Sequence, residues 1–159
     1  MTTKQISPHA AAAKMIKQEL KKLFPTIKFS VKSDSFSGGD SVDISWENGP
    51  TDDQVSDVTS KYQYGHFDGM TDSYDHSNRR KDIPQSKYVH TSRDITDDIS
   101  ERVFKKLQQS YVHFEKVQCI DETHMDLKNH WNIWSAREMV NRIVSKKDLT
   151  HGYQISHDD

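Results

Sequence analysis

Two alternating segments around a glycine turn restrict this chain's fold more tightly than any other feature. Ile27, Phe29 and Val31 alternate with Lys28, Ser30 and Lys32, and Val42, Ile44 and Trp46 alternate with Asp43, Ser45 and Glu47. Successive side chains of a strand point to opposite faces, so each segment reads as a strand with one buried face. Ser37, Gly38, Gly39 and Asp40 between them supply turn chemistry. The expected hairpin places Lys28, Ser30 and Lys32 on the same outward face as Asp43, Ser45 and Glu47, with charge pairing across the strands.

Helical spacing flanks this hairpin. Ser7 and Pro8 suit an N-cap and first turn, because Ser accepts a bond from a free N–H and Pro has none to leave unsatisfied. Ala10 to Ala13, then Ile16, Leu20, Leu23 and Phe24, form the apolar stripe, and Pro25 stops the helix. Thr51, Asp52, Asp53 and Gln54 match a capping box ahead of Val55, Val58 and Tyr62, in a helix that ends by Gly65. A third strand is expected over 87–91 and a third helix over 96–110, with Ile99, Val103, Phe104 and Leu107 on one face. Residues 111–117 read as a fourth strand. Ser135 to Glu138 is a second capping box, opening a short helix over 135–147 that Trp131 and Trp134 staple down, and the polar tail from Asp148 frays.

The expected class is therefore α+β, in the order α-β-β-α-β-α, with a small, mainly antiparallel sheet of three or four strands. One α+β domain covers 1–118, and a helical extension covers 119–159. The 159 residues suffice for a single modest core, and a hydrophobic fraction of 33% makes that core thin. A lone cysteine, Cys119, excludes an internal disulfide framework and suits a reducing compartment. No apolar run approaches the ~20 residues of a membrane span. The location expected is cytoplasmic, with no membrane partner.

A net charge of -2 conceals segregation: residues 1–32 hold seven lysines against one acid, and residues 33–78 hold ten acids against one lysine. Fields of this kind suit a docking partner, or self-association of positive on negative surface. Lys14, Lys17 and Lys21 lie in one arc beside the apolar stripe of the first helix and are candidate phosphate contacts, as are Arg79, Arg80 and Lys81.

Residues 65–76 crowd two glycines, aromatic rings, acids and two imidazoles into one stretch. Asp68, Asp72, Asp75 and a histidine offer oxygen and nitrogen ligands, yet their spacing lacks the alternation of a calcium loop and no Glu closes it. The favoured reading has Phe67 and Met70 plugging the core, Gly69 supplying an unusual backbone angle, and Asp68 and Asp72 bonding local N–H groups. Cys119, His124 and His130, with His113 as a fourth, are a zinc alternative at spacings looser than zinc sites use. No cofactor is called for.

The alanine-rich helix, Leu23-Phe24-Pro25, Lys28 to Val31, Gly39-Asp40-Ser41, Val42 to Trp46, Gly49-Pro50-Thr51 and Phe67-Asp68-Gly69-Met70-Thr71-Asp72 together resemble the large polyvalent protein-associated domain 29 over residues 8–92. The resemblance implies a phage or plasmid context, in proteins that travel with an element's DNA and act against host defences. It implies no reaction and no catalytic residues. The resulting expectation is a non-enzymatic interaction module of a mobile element, contacting a host or element protein or nucleic acid, with Phe67, Asp68, Gly69, Met70 and Asp72 as its hallmark loop. The alternative is a nucleic-acid-processing or metal-dependent enzyme built on the acid and histidine loop 66–76.

Overall fold

The computed structural model describes residues 5–153. Contacts divide the chain into two compact units, one ending at Asp94 and one beginning at Ile95. The class is α+β, with small, mostly antiparallel sheets.

In the first unit α1 (Pro8–Leu23) starts at Pro8, but the Ser7 hydroxyl pairs with His9 Nε2 at 3.1 Å and caps no backbone N–H. Phe24 closes the last turn on the Leu20 carbonyl at 2.8 Å, and Pro25 follows. β1 (Ser30–Phe36) and β2 (Gly39–Glu47) form the expected antiparallel hairpin, with Val31 opposite Ile44 and Lys32 opposite Asp43. Ala12, Ile16 and Leu20 of α1 bury the inner face made by Phe29, Val42, Ile44 and Trp46. Burial of such side chains stabilises by roughly 1.5–3 kcal/mol each.

After β2 the chain turns through Asn48 and Gly49, both at positive φ, into α2 (Asp52–Thr59). The Thr51 capping box forms in full: Gln54 N–H donates to Thr51 Oγ1 at 3.2 Å, and Thr51 N–H donates to Gln54 Oε1 at 2.8 Å. A 3-10 turn, Ser60–Tyr62, then ties α2 to α1, because Tyr62 Oη and Lys61 Nζ donate to the two oxygens of Glu19 at 2.8 and 2.6 Å. A separate two-stranded ribbon, β3 (His66–Asp68) with β4 (Ser73–Asp75), precedes β5 (Tyr88–Asp94). β5 joins the sheet parallel to β2, giving the order β1-β2-β5. The parallel sense follows from connectivity: the helix and ribbon carry the chain back to the end where β2 began. Asp40 Oδ1 fixes that end by accepting from Ser86 Oγ at 2.8 Å and Lys87 N–H at 2.7 Å.

The second unit is helical: α3 (Asp97–Ser110), α4 (Val112–Glu115), α5 (Met125–Trp131) and α6 (Ala136–Ser145). Its core joins Ile99, Val103, Phe104 and Leu107 of α3 to Met139, Val140 and Val144 of α6. The chain divides at 94/95 and not at 118/119, because α3 spends its apolar face on this core. The fourth strand expected over 111–117 is instead the single helical turn α4, which buries Phe114, with Val117 buried in the loop after it. The Ser135 capping box forms, and Glu138 Oε1 also accepts Trp134 N–H at 2.7 Å. Trp131 packs against the core, whereas Trp134 is exposed with Lys128 Nζ 4.6 Å from its ring centre. Leu149 and Tyr153 are buried, so the expected fraying does not begin at Asp148. The rest of the predicted tail, 154–159, lies outside the described residues.

Candidate functional site

The stretch 65–76 is the β3–β4 hairpin and its approach. The chain enters it under restraint: Tyr64 N–H donates to the Ser86 carbonyl at 3.1 Å, and Gln63 Oε1 accepts Val89 N–H at 2.7 Å. Gly65 comes next, where a Cβ would lie 1.9 Å from the Asp75 carbonyl oxygen. Only glycine permits that approach.

The tip is organised by Asp68. Its Oδ1 accepts Met70 N–H at 2.9 Å and its Oδ2 accepts the Thr71 hydroxyl at 2.9 Å. These bonds, the Met70 N–H foremost, hold the Asp68 carboxyl below the usual carboxylate range. Asp68 is therefore the expected turn former. Asp72, at φ 49°, supplies the left-handed residue expected of Gly69. Phe67 and Met70 do not plug the core: they are 54% and 97% exposed. The ribbon has only three residue pairs and cannot fold its tip back over them.

At the root, Tyr74 Oη donates to the Lys87 carbonyl, and the Tyr74 ring meets Tyr64 and Tyr88 edge-on at 5.7 and 5.6 Å. His76 stacks on Tyr64 at 5.5 Å, and the guanidinium of Arg79 covers Tyr64 at 5.3 Å. Burial, helped by Tyr64, Tyr88 and Asp40, pushes the Tyr74 hydroxyl up to about 12. Beside the root, His66, Ser77, Gln63, Asn78, Thr59 and Thr91 line a polar cavity of about 220 Å³. His66 Nδ1 lies 3.3 Å from Ser77 Oγ, but among the described residues no carboxylate is hydrogen-bonded to that imidazole. A nucleophilic triad needs such an orienting partner.

With this geometry in place, the family model described as large polyvalent protein associated domain 29 matches residues 7–146. The chain belongs to that family. The match extends past the 8–92 resemblance to include α3 to α6, so the large polyvalent protein-associated domain 29 reaches into both units. Its name places it with the polyvalent proteins of mobile elements. Among curated proteins and solved structures, none matches.

In this domain the basic candidates fall into two groups. Lys14, Lys17 and Lys21 are exposed on α1, and Lys17 and Lys21 share a groove with Lys28, over Ile27 and Phe29. Arg79 and Arg80 lie by the hairpin root. Arg79 covers Tyr64, Arg80 binds both oxygens of Asp82 at 3.0 and 2.5 Å, and Lys81 is exposed.

Neither proposed metal set converges: among the described residues, no group of three His, Cys, Asp or Glu side chains is arranged to hold an ion. Cys119 is exposed, His124 Nδ1 caps α5 by accepting Asp126 N–H at 3.4 Å, and His130 stacks on His113 at 4.0 Å. No helix among the described residues is long and apolar enough to cross a membrane.

One feature was beyond sequence reasoning: the Tyr64, Tyr74 and Tyr88 cluster depends on the parallel return of β5. Gly65 did carry a signal, as a glycine just past the end of a helix.

Proposed function

We propose that this chain is a contact module of a mobile element, docking on a host protein through the β3–β4 hairpin in counter-defence or element maintenance. The observation that carries the reading is Met70, 97% exposed at the tip of a hairpin held from within by Asp68 and at its root by Gly65 and Tyr74. A large apolar side chain presented to water on a hydrogen-bonded turn suits an interface anchor, because the backbone beneath it has little conformational entropy left to lose on binding. The carboxylates of the loop support contact over catalysis, since Asp68 is committed to the turn.

The test is affinity capture from element-bearing cells with the wild-type chain and with Phe67→Ser/Met70→Asp, both checked for equal thermal melting. Host chains retained by the wild type and lost by the variant support the reading. Equal retention by both forms overturns it. A second reading, phosphate contact by α1, is favoured by the exposure of Lys14, Lys17 and Lys21. It requires salt-dependent DNA retention that falls when those three are reversed to Glu.

A further inference from the structure

Lys17, Lys21 and Lys28 line an open groove of about 280 Å³ whose other walls are Pro25, Thr26, Ile27 and Phe29. Phe29 is buried against Trp46 at 5.6 Å and Phe24 at 6.1 Å, which makes the floor firm. Among the described residues none of the three ammonium groups has a carboxylate within 4.0 Å. Three like charges gathered over apolar surface repel one another, and the cost is relieved by an occupant that is acidic at its rim and apolar at its centre.

That chemistry is present elsewhere in the same unit. The hairpin carries Met70 at its tip and Phe67 on β3 as exposed apolar side chains, with Asp68 and Asp72 in the turn beside Met70. A chain cannot place its own tip in its own groove. The hairpin root attaches at the start of β2, where Tyr88 pairs with Ser41, and the groove floor attaches at its end, where Phe29 meets Trp46. Five strand residues separate the two, about 17 Å at the usual strand rise, against about 10 Å for the three residue pairs of the ribbon.

We propose that the lysine groove receives the hairpin tip of a second copy of this chain, with Met70 on the Ile27 and Phe29 floor and the tip carboxylates among Lys17, Lys21 and Lys28. The contact joins two different surfaces, so it propagates head to tail. Its charged rim lies in solvent, so salt weakens it. The inference rests on the reading of the hairpin as a contact element and adds a competitor for the host partner: a tip seated in a neighbouring groove is withdrawn from docking.

Sedimentation equilibrium of the full chain at low salt tests this. The wild type is expected to show a mass above the 18.5 kDa monomer that rises with concentration and returns to monomer in high salt. Met70→Lys, and separately Lys17→Glu/Lys21→Glu/Lys28→Glu, are each expected to lose that rise, and mixing the two variants to restore it. Site specificity comes from single-cysteine chains in a Cys119→Ser background. Met70→Cys mixed with Thr26→Cys should give the mixed disulfide in excess over either homodimer.

A monomer at every concentration overturns the proposal, as does association unchanged by the lysine reversals, or cross-linking only between Met70→Cys tips. The two readings fail separately. Host capture that needs Met70 in a strictly monomeric chain leaves the function standing without this contact, and self-association with Met70-independent capture does the reverse.

Discussion

Substituting Gly65 by Ala addresses the support of the hairpin without touching its tip. The added Cβ would stand 1.9 Å from the Asp75 carbonyl oxygen and 2.6 Å from Tyr74 Cε1, where ordinary contact begins at 3.4 Å. The strands must therefore part by about 1.5 Å, the difference between those distances, and backbone has no rotamer by which to yield. Parting them breaks the Tyr74 hydrogen bond to the Lys87 carbonyl, worth about 1 kcal/mol. It also breaks the edge contacts of Tyr74 with Tyr64 and Tyr88, worth about 1 kcal/mol each. The total is about 3 kcal/mol, or a loss of protection on the order of 100-fold. Native-state hydrogen exchange at the ribbon amides reads that loss directly. Gly69→Ala is the control: nothing lies within 4 Å of its Cβ, so stability should move by less than about 0.5 kcal/mol. Ribbon protection in Gly65→Ala within about twofold of wild type would refute the close-approach argument.

Tyr62→Phe removes one donor from Glu19, leaves Lys61 in place, and should cost about 1 kcal/mol in urea unfolding. Burial alone would raise the Glu19 carboxyl, but the Lys61 and Tyr62 bonds outweigh it and hold the group below 4.5. Its contribution is present above that value and lost as pH falls through the lower folded one, so Glu19→Gln should flatten the acid limb of stability against pH. At the alkaline end, burial, with Glu19 beside Tyr62, pushes Tyr62 and Tyr74 up to about 12 from 10.0. Their neutral forms favour the fold, so that stability is complete below pH 10 and declines from there to about 12, with Tyr62 and Tyr74 ionising late by tyrosinate absorbance. In the second unit, Leu127→Ala empties a fully buried site and should cost about 2–5 kcal/mol in chemical denaturation. A smaller loss would mean that α5 is dispensable to the core.

What the sequence made legible was local. The period of two at Val42 to Trp46 and the capping boxes at Thr51 and Ser135 each encode a structure within a few residues and form, whereas the strand read over 27–31 begins only at Ser30 and runs on to Phe36. The pairing of β5 with β2 spans more than forty positions, and no residue in either strand announces a parallel neighbour. The strand reading of 111–117 failed because the alternation of Val112 and Phe114 fits a strand as well as one helical turn, and only Phe114 of the pair is buried. At the candidate site, Asp68 was legible as a turn former because its partners are two and three residues away. The exposure of Met70 was not, because a hydrophobic residue in a turn is buried only if something reaches it.

Between Asn48 and Lys87 the chain leaves β2 and returns to the strand beside it, so everything within that excursion is held at both ends by the sheet. The register of β1, β2 and β5 does not depend on how many residues lie between Asp68 and Ser73. Lineages can therefore lengthen, shorten or recharge the tip while the sheet persists, provided that a glycine remains where position 65 passes the opposite strand. On the docking reading proposed above, a tip mounted this way can change targets without risk to the scaffold that presents it.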